Sequence, residues 1–427
     1  MVETTSTATH GLEGPSRFRF VMVAILMLIV FIAFFDRVNI SILIANDQFL
    51  TDMGIKGEHL KIGMLMSVFL FTYGIANVAV SPLGDLLGPR KMTLLASGLW
   101  IVSMIVGGIS GTFTMMIAAR IMLGIGEGSQ YPCQGRFVKN WFPPKERGRT
   151  NACWLIGVSL GQAAAMPFFA MVIASWGWRP SFFICALLGL IPLAVVAYFA
   201  SDTPAQSKYV NAKELAYIQA GQQNEVIETE QASFKDNVKA FLTNYRFWLV
   251  VLWAACMSII LWGLVTWLPT YLKTVRGFSW KTMGFLASLP FLLGIVAKII
   301  GGWMADKLGR CAPFCSIAML LAALSIYFGA TSTSDIASAL LLAFGQGFLL
   351  LGSPSMWSLT QGFVPGKAMT TAGGVMNGVA ILFGSLSPMI IGFFVNSSGS
   401  YVGGLLFLVA TAVVGMLGSL ILVYQKY

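Results

Sequence analysis

The sequence predicts an all-α membrane protein: twelve transmembrane helices in two pseudo-symmetric six-helix bundles. Three observations carry that prediction. Of the 427 residues, 57% are hydrophobic and only 10% are charged, whereas a soluble globular chain has about 25% charged residues. About a dozen apolar runs follow one another with short polar breaks, each near the roughly 20 residues that a spanning helix needs. Finally, a turn after the second run, Gly84-Asp85-Leu86-Leu87-Gly88-Pro89-Arg90, has a twin after the second run of the other half, Ala305-Asp306-Lys307-Leu308-Gly309-Arg310. Positions 85 and 306 lie 221 residues apart, an internal repeat of one six-span plan.

Taken in order, residues 1–18 form a polar tail, 19–200 a first bundle, 201–245 a linker and 246–427 a second bundle. Span one, near Arg19 to Ala45, carries Asp36, Arg37 and Asn39 past its middle. Span two, near Leu60 to Leu83, sets Tyr73 and Asn77 one turn apart on one face. Span three, near Met92 to Ile109, is apolar. Span four, near Thr112 to Val138, holds Arg120 and Glu127; seven residues is nearly two turns, so both point one way, about 10 Å apart along the axis. Gly124, Gly126 and Gly128 let that span approach a neighbour closely. No strand precedes these glycines, which argues against a phosphate-binding loop.

The loop after span four places Trp141 and Phe142 where the bilayer surface is expected. Span five brings Gly157, Gly161, Gln162 and a kinking Pro167, and span six runs from about Ser181 to Ala200. The linker alternates in charge sign and predicts one or two solvated surface helices. The second bundle repeats the plan near 247–272, 282–304, 312–331, 336–362, 370–395 and 401–424. Its spans hold no carboxylate and one ionisable group, Lys298, which the repeat offset sets opposite Asn77; Trp357, Asn377, Gln361 and Ser387 are its polar or aromatic candidates.

Charge distribution fixes topology and excludes several functions. The net charge is +10, but basic residues gather on one set of loops and form no nucleic-acid stripe. The positive-inside rule puts both termini in the cytoplasm. The first apolar run reads as a span rather than a cleavable leader. Six cysteines lie in or beside apolar runs and argue against a disulfide framework. The two histidines lie outside the spans, so neither a metal nor another cofactor is expected. No nucleophile–base or metal constellation marks an enzyme.

A charge near the bilayer centre costs roughly 3 kcal/mol, so four of them on spans one and four mark a functional site. With Asp36 and Glu127 ionised, Arg37 and Arg120 are neutralised; protonating the acids leaves net positive charge and welcomes an anion. Protons and anion then bind cooperatively. The spacing also leaves open an Arg120–Glu127 ion pair that only tethers helices, and for Lys298 a choice between snorkelling to the surface and anchoring a second acidic group. The functional reading requires the four groups to face one water-reachable chamber.

The turns at Asp85 and Asp306 resemble the signature loop of the major facilitator superfamily, and Arg120-x-x-x-Gly124-x-Gly126-x-Gly128 resembles its fourth-span motif. More narrowly, Asp36-Arg37-x-Asn39, Gly126-Glu127-Gly128, Trp141-Phe142-Pro143-x-x-Glu146-Arg147, Trp267-Leu-Pro-Thr-Tyr271-Leu and Gly373-Gly374-x-x-Asn377 are together similar to the anion:cation symporter family, with its carriers of galactonate, glucarate and hexuronates. The resemblance implies alternating access and uptake of an organic anion, most simply a sugar acid, with protons. Carried over residue by residue, Arg37 and Arg120 hold the carboxylate and Asp36 and Glu127 take protons. Tyr73, Trp357 and Asn377 touch the substrate body, with Asn39, Gln162 and Lys298 as further candidates. Asp85, Arg90, Asp306 and Arg310 form the gate turns, capping helices and pairing across the bundles. Departures from the pattern are Leu86 and Pro89 in the first turn, Val158 in place of a span-five glutamine, and Lys298 itself. An exchanger or uniporter, or a symporter of aromatic acids or dicarboxylates, stays open. The expected partners are a small anion, protons and the bilayer around a monomer.

Overall fold

The computed structural model describes residues 15–80, 87–227, 239–364 and 369–427, and among them the chain is helical without strands. The first half comprises α1 (Phe18–Leu43), the short α2 (Asp47–Asp52), α3 (His59–Ala79), α4 (Pro89–Ile109), α5 (Phe113–Gly128), α6 (Gln130–Trp141), α7 (Pro144–Trp176) and α8 (Arg179–Phe199). The linker contributes α9 (Ala212–Ile227). The second half comprises α10 (Tyr245–Thr270), α11 (Trp280–Leu308), α12 (Ala312–Thr331), α13 (Asp335–Leu349), α14 (Ser353–Phe363), α15 (Met369–Ser398) and α16 (Tyr401–Tyr424).

Among the described residues eleven helices are long and apolar enough to cross a membrane. The twelfth crossing is the α5–α6 pair, which breaks at Ser129 beside the polar run Glu127-Gly128-Ser129-Gln130. Its repeat partner is broken too: a 3-10 turn, Leu350–Gly352, separates α13 from α14, and Leu350 stands 221 residues after Ser129. Pro354 at the start of α14 suits that restart, since the first turn of a helix is where proline is favoured. Local capping fixes other boundaries. Thr112 accepts from the Met115 amide at 3.2 Å and Ser279 from the Thr282 amide at 3.1 Å; Gly309, at φ 61°, closes α11 in the left-handed region.

The halves meet along α3 with α15, α7 with α11, and α1 with α10. Their tightest approaches lie at the end opposite the linker. Gly63 abuts the Pro388 carbonyl, Gly392 the His59 carbonyl, and Gly284 the backbone of Pro167. Among the described residues no comparably extensive contact joins α6 to α14 at the linker end.

The linker and the loop after span four depart from their expected settings. Trp141 and Phe142 do not lie on a bilayer surface; both are fully buried, and Trp141 Nε1 donates to the Ser201 carbonyl at 3.0 Å. Nor is α9 simply solvated. Glu214 accepts from the Ser16 hydroxyl at 2.5 Å, the Phe18 amide at 2.9 Å and Arg19 Nη1 at 3.0 Å, while Arg19 also bonds Glu146 at 3.0 Å. Burial alone would raise the Glu214 pKa, but these donors outweigh it and hold the carboxyl below its usual range. One turn of linker helix is thereby bolted to the start of α1.

Candidate functional site

Two glycines build the site. At Gly124 an added Cβ would strike the Thr72 hydroxyl and the Phe69 carbonyl, and at Gly128 it would meet the Ala76 methyl at 2.6 Å. Only residues without side chains let α5 sit this close to α3. The approach presses Arg120 and Glu127 against the α3 stripe Leu65, Phe69 and Tyr73, spaced by four and so on one face.

Asp36, Arg37, Arg120 and Glu127 are brought into electrostatic reach of one another, each at most 3% exposed. Arg37 Nε donates to Glu127 Oε2 at 2.6 Å, a charge-assisted bond at the short end of the range. Arg120 is not Glu127's partner. Its Nε donates to the Leu65 carbonyl at 3.0 Å, so a tether between the two charges of span four, one of the readings the spacing left open, is not what forms. Seven residues of rise hold the two charges apart, while α1 presents Arg37 directly to Glu127.

Aromatic faces cover the cations. The Arg37 guanidinium carbon lies 4.4 Å from the Phe34 ring centre and 4.5 Å from that of Tyr73, and Arg120 lies 4.6 Å from Phe69. Such faces stabilise a desolvated cation without neutralising it. Asp36 has no cation within ion-pair distance, and neither carboxylate oxygen accepts from a nitrogen or a hydroxyl; the Cys185 thiol of α8 is its hydrogen-bonding neighbour. Asn39, one turn of α1 further, is likewise buried with both amide atoms unpartnered. The site is therefore two cations, two acids and a set of unspent polar atoms inside an aromatic wall.

The water-reachable chamber expected around these groups is not open in this arrangement, since each of the four is at most 3% exposed. Small cavities of about 10 Å³ lie in the second half instead, one bordered by Trp267, Tyr271 and Tyr401, another by Trp253 and Met356. Around the cluster, Arg37 is bonded to Glu127 and the rings of Phe34, Phe69 and Tyr73 stand against the cations.

Other candidates lie outside the cluster. Gln162 is buried on α7, and Asn377 is half-buried on α15. Lys298 points across the junction of the halves, its Nζ 3.4 Å from Ser159 Oγ on α7, rather than toward a membrane surface. Trp357 is 42% exposed and stands beside Gly373, outside the enclosed cluster. At the turns, Arg90 Nη2 donates to the Ala197 carbonyl at 2.6 Å and Arg310 Nη2 to the Val423 carbonyl at 2.9 Å. Each bond ties its own half, and neither crosses between them as gate pairing requires. Asp85 lies outside the described residues, as does the Asp306 side chain. Phe34, Phe69 and Cys185 escaped the sequence reading; for Phe69 the signal was present, since it shares Tyr73's face one turn away.

Comparison with known proteins follows this geometry. The sequence model of the Major Facilitator Superfamily matches residues 26–388. A probable sulfoacetate transporter of Cupriavidus necator is 31% identical over 93% of this chain and 92% of its own length. A probable L-galactonate transporter of Escherichia coli is 28% identical over 97% of this chain and 92% of its own. Among solved structures, an inward-facing, unoccupied bacterial homologue of the lysosomal transporter Spinster superposes with a TM-score of 0.78 at 17% identity, over 95% of this chain and 98% of the other. A D-xylose–proton symporter gives 0.74 at 15% identity, over 94% and 96%.

Proposed function

Because the chain belongs to the Major Facilitator Superfamily and is a multi-pass membrane transporter rather than an enzyme, we propose that it takes up a small organic anion together with protons. One observation carries this reading: a buried guanidinium, Arg37, whose Nε is spent on a carboxylate, Glu127, that a proton can remove from the contest. An arriving carboxylate or sulfonate competes with Glu127 for Arg37. Protonating Glu127 ends the competition and turns the cluster from neutral to net positive, so proton and anion each raise the affinity for the other. Asp36, beside the pair and without a salt-bridge partner, is the second proton acceptor, and Arg120 the second anion donor once it leaves the Leu65 carbonyl.

Alternating access supplies the cycle. The tight approaches at the end opposite the linker have to part to admit the anion, and the linker end to release it. The topology proposed is a single copy in a bacterial inner membrane with both termini cytoplasmic. If two protons accompany a monoanion, one positive charge enters per cycle, worth about 2.3 kcal/mol per 100 mV of membrane potential.

The relatives carry the substrate class: one is a probable sulfoacetate transporter, others are probable carriers of galactonate or of galactarate and D-glucarate. A second reading within that class, a substrate with two acidic groups, is favoured by Lys298. Its ammonium has a serine but no carboxylate as its recorded partner among the described residues. The test is uptake of radiolabelled sulfoacetate, galactonate and glucarate into proteoliposomes with an imposed inward proton gradient. Accumulation of one of them, with alkalinisation outside, is the expected result. Counterflow without any response to the proton gradient identifies an exchanger or uniporter instead.

A further inference from the structure

Glu127 spends only one oxygen on Arg37. Oε2 accepts from Nε, while Oε1, equally buried, has no hydrogen-bond partner. That free oxygen heads a line of others. Glu127, Gln130 and Gln134 stand at i, i+3 and i+7, one helical face, and Ser129 keeps right-handed helical angles (φ −85°, ψ −9°) through the joint between α5 and α6. Facing them on the antiparallel α4 are Trp100, Ser97 and Thr93, again on one face.

The register of the two stripes is fixed at two points. Gly126 lets α5 rest against the Ala96 carbonyl and Trp100 amide, and Gln130 Nε2 donates to Ser97 Oγ at 3.4 Å. Glu127 is thus level with Trp100, Gln130 with Ser97, and Gln134 with Thr93. Buried polar atoms lack partners at every level: Glu127 Oε1 and Trp100 Nε1, then Gln130 Oε1, then both amide atoms of Gln134, with Thr93 Oγ1 facing only the Cys133 thiol. Folded interiors leave few such atoms without a bond, and where they cluster, buried water completes them. One turn before Thr93, at the linker end, the Arg90 amide donates to Asp202 Oδ1 at 2.7 Å.

We propose that the seam between α4 and α5–α6 is a hydrated proton path joining Glu127 to the linker-end surface at Asp202, separate from the anion's route between the halves. The inference rests on the proton-coupled reading of Glu127. The carboxyl O–H breaks as the neighbouring water gains the proton; each water along about 10 Å of helix passes one proton on, and bulk water at the linker end accepts it. Gln130, Gln134, Ser97 and Thr93 hold the waters and do not ionise. Glu127, deprotonated, recaptures Arg37 and expels any anion still bound.

The test uses the full chain in proteoliposomes with Gln134→Leu and Thr93→Val, near-isosteric changes that remove polar atoms from the seam. Net proton-driven uptake of labelled sulfoacetate, galactonate or glucarate is expected to fall about tenfold. Counterflow of the same compound stays at the wild-type rate, because exchange returns the carrier still protonated. Wild-type net uptake by both variants overturns the path, and so does an equal fall in uptake and counterflow. X-ray radiolytic footprinting of the wild-type protein reads the water without any variant. Trp100 and Cys133, which adjoins Thr93, are expected to be labelled, and protection of both overturns the proposal. A wild-type protein without proton-driven uptake would refute the proton-coupled reading, while footprinting would still report on water in the seam.

Discussion

The two halves share one helical plan and differ in what they bury. In the first, Asp36, Arg37, Arg120 and Glu127 are enclosed together. In the second, Trp267, Tyr271 and Tyr401 border a small apolar cavity, and among the described residues Lys298 is the one cation on a spanning helix away from its ends. Even the breaks correspond, Ser129 with Leu350, yet one borders a glutamate and the other two leucines. A repeat therefore fixes backbone geometry without fixing chemistry. On the proposed reading, charge recognition and proton handling fall mainly to the first half, whose own Phe34, Phe69 and Tyr73 rings stand against the two cations.

Substitutions that erase this asymmetry should have effects graded by how much buried charge they strand. Arg37→Ala has the largest. It leaves Glu127 buried and unpaired, costs about 3–5 kcal/mol of stability, and abolishes both uptake and counterflow; thermal melting and transport assays read both. Arg120→Ala removes charge-assisted donors worth about 1.5–3 kcal/mol, so anion affinity falls by roughly 10- to 150-fold, measured by titration of the purified protein. Glu127→Gln keeps the shape and a hydrogen-bond acceptor for Arg37 but no longer titrates. Proton-driven accumulation is lost while counterflow persists, and net uptake at the wild-type rate would contradict the proton role.

Smaller effects belong to the second half and the linker. Lys298→Gln should weaken glucarate or sulfoacetate about tenfold, or 1.4 kcal/mol, and leave galactonate unchanged; equal loss for mono- and dianions would assign Lys298 to packing. Glu214→Gln should loosen the linker helix without altering substrate affinity, seen as faster amide hydrogen exchange in α9. The sign follows from its depressed pKa. The carboxylate's contribution is complete above the ordinary value of 4.5 and is lost as pH falls through the lower folded value, so acid should loosen α9 in the wild type and change it little in the variant.

The fold was legible in the sequence because apolar run length and the recurrence from Asp85 to Asp306 are local facts that a bilayer enforces. The four charges were legible for the same reason: a span tolerates such residues only for cause. Their pairing was not. Arg120 and Glu127 share a helical face, but which cation Glu127 meets depends on how closely Gly124 and Gly128 bring α5 to α3 and how α1 turns Arg37 inward. Tertiary context also overrode composition at Trp141, an aromatic that looks interfacial by type yet is buried by its bond to Ser201. Trp357, expected to line the cavity, is left outside the cluster by the break between α13 and α14 and the side of α14 it occupies.

The central claim is that a proton and the anion bind cooperatively, because the Glu127 carboxylate and the anion compete for one guanidinium, Arg37, and protonation removes the carboxylate from that contest. Calorimetric titration of the purified protein with its anion, in two buffers of different ionisation enthalpy at one pH, counts protons taken up on binding. Net uptake of protons by the wild type, reduced in Glu127→Gln, is the expected result. Binding without proton uptake in the wild type, or identical uptake in both proteins, would contradict it.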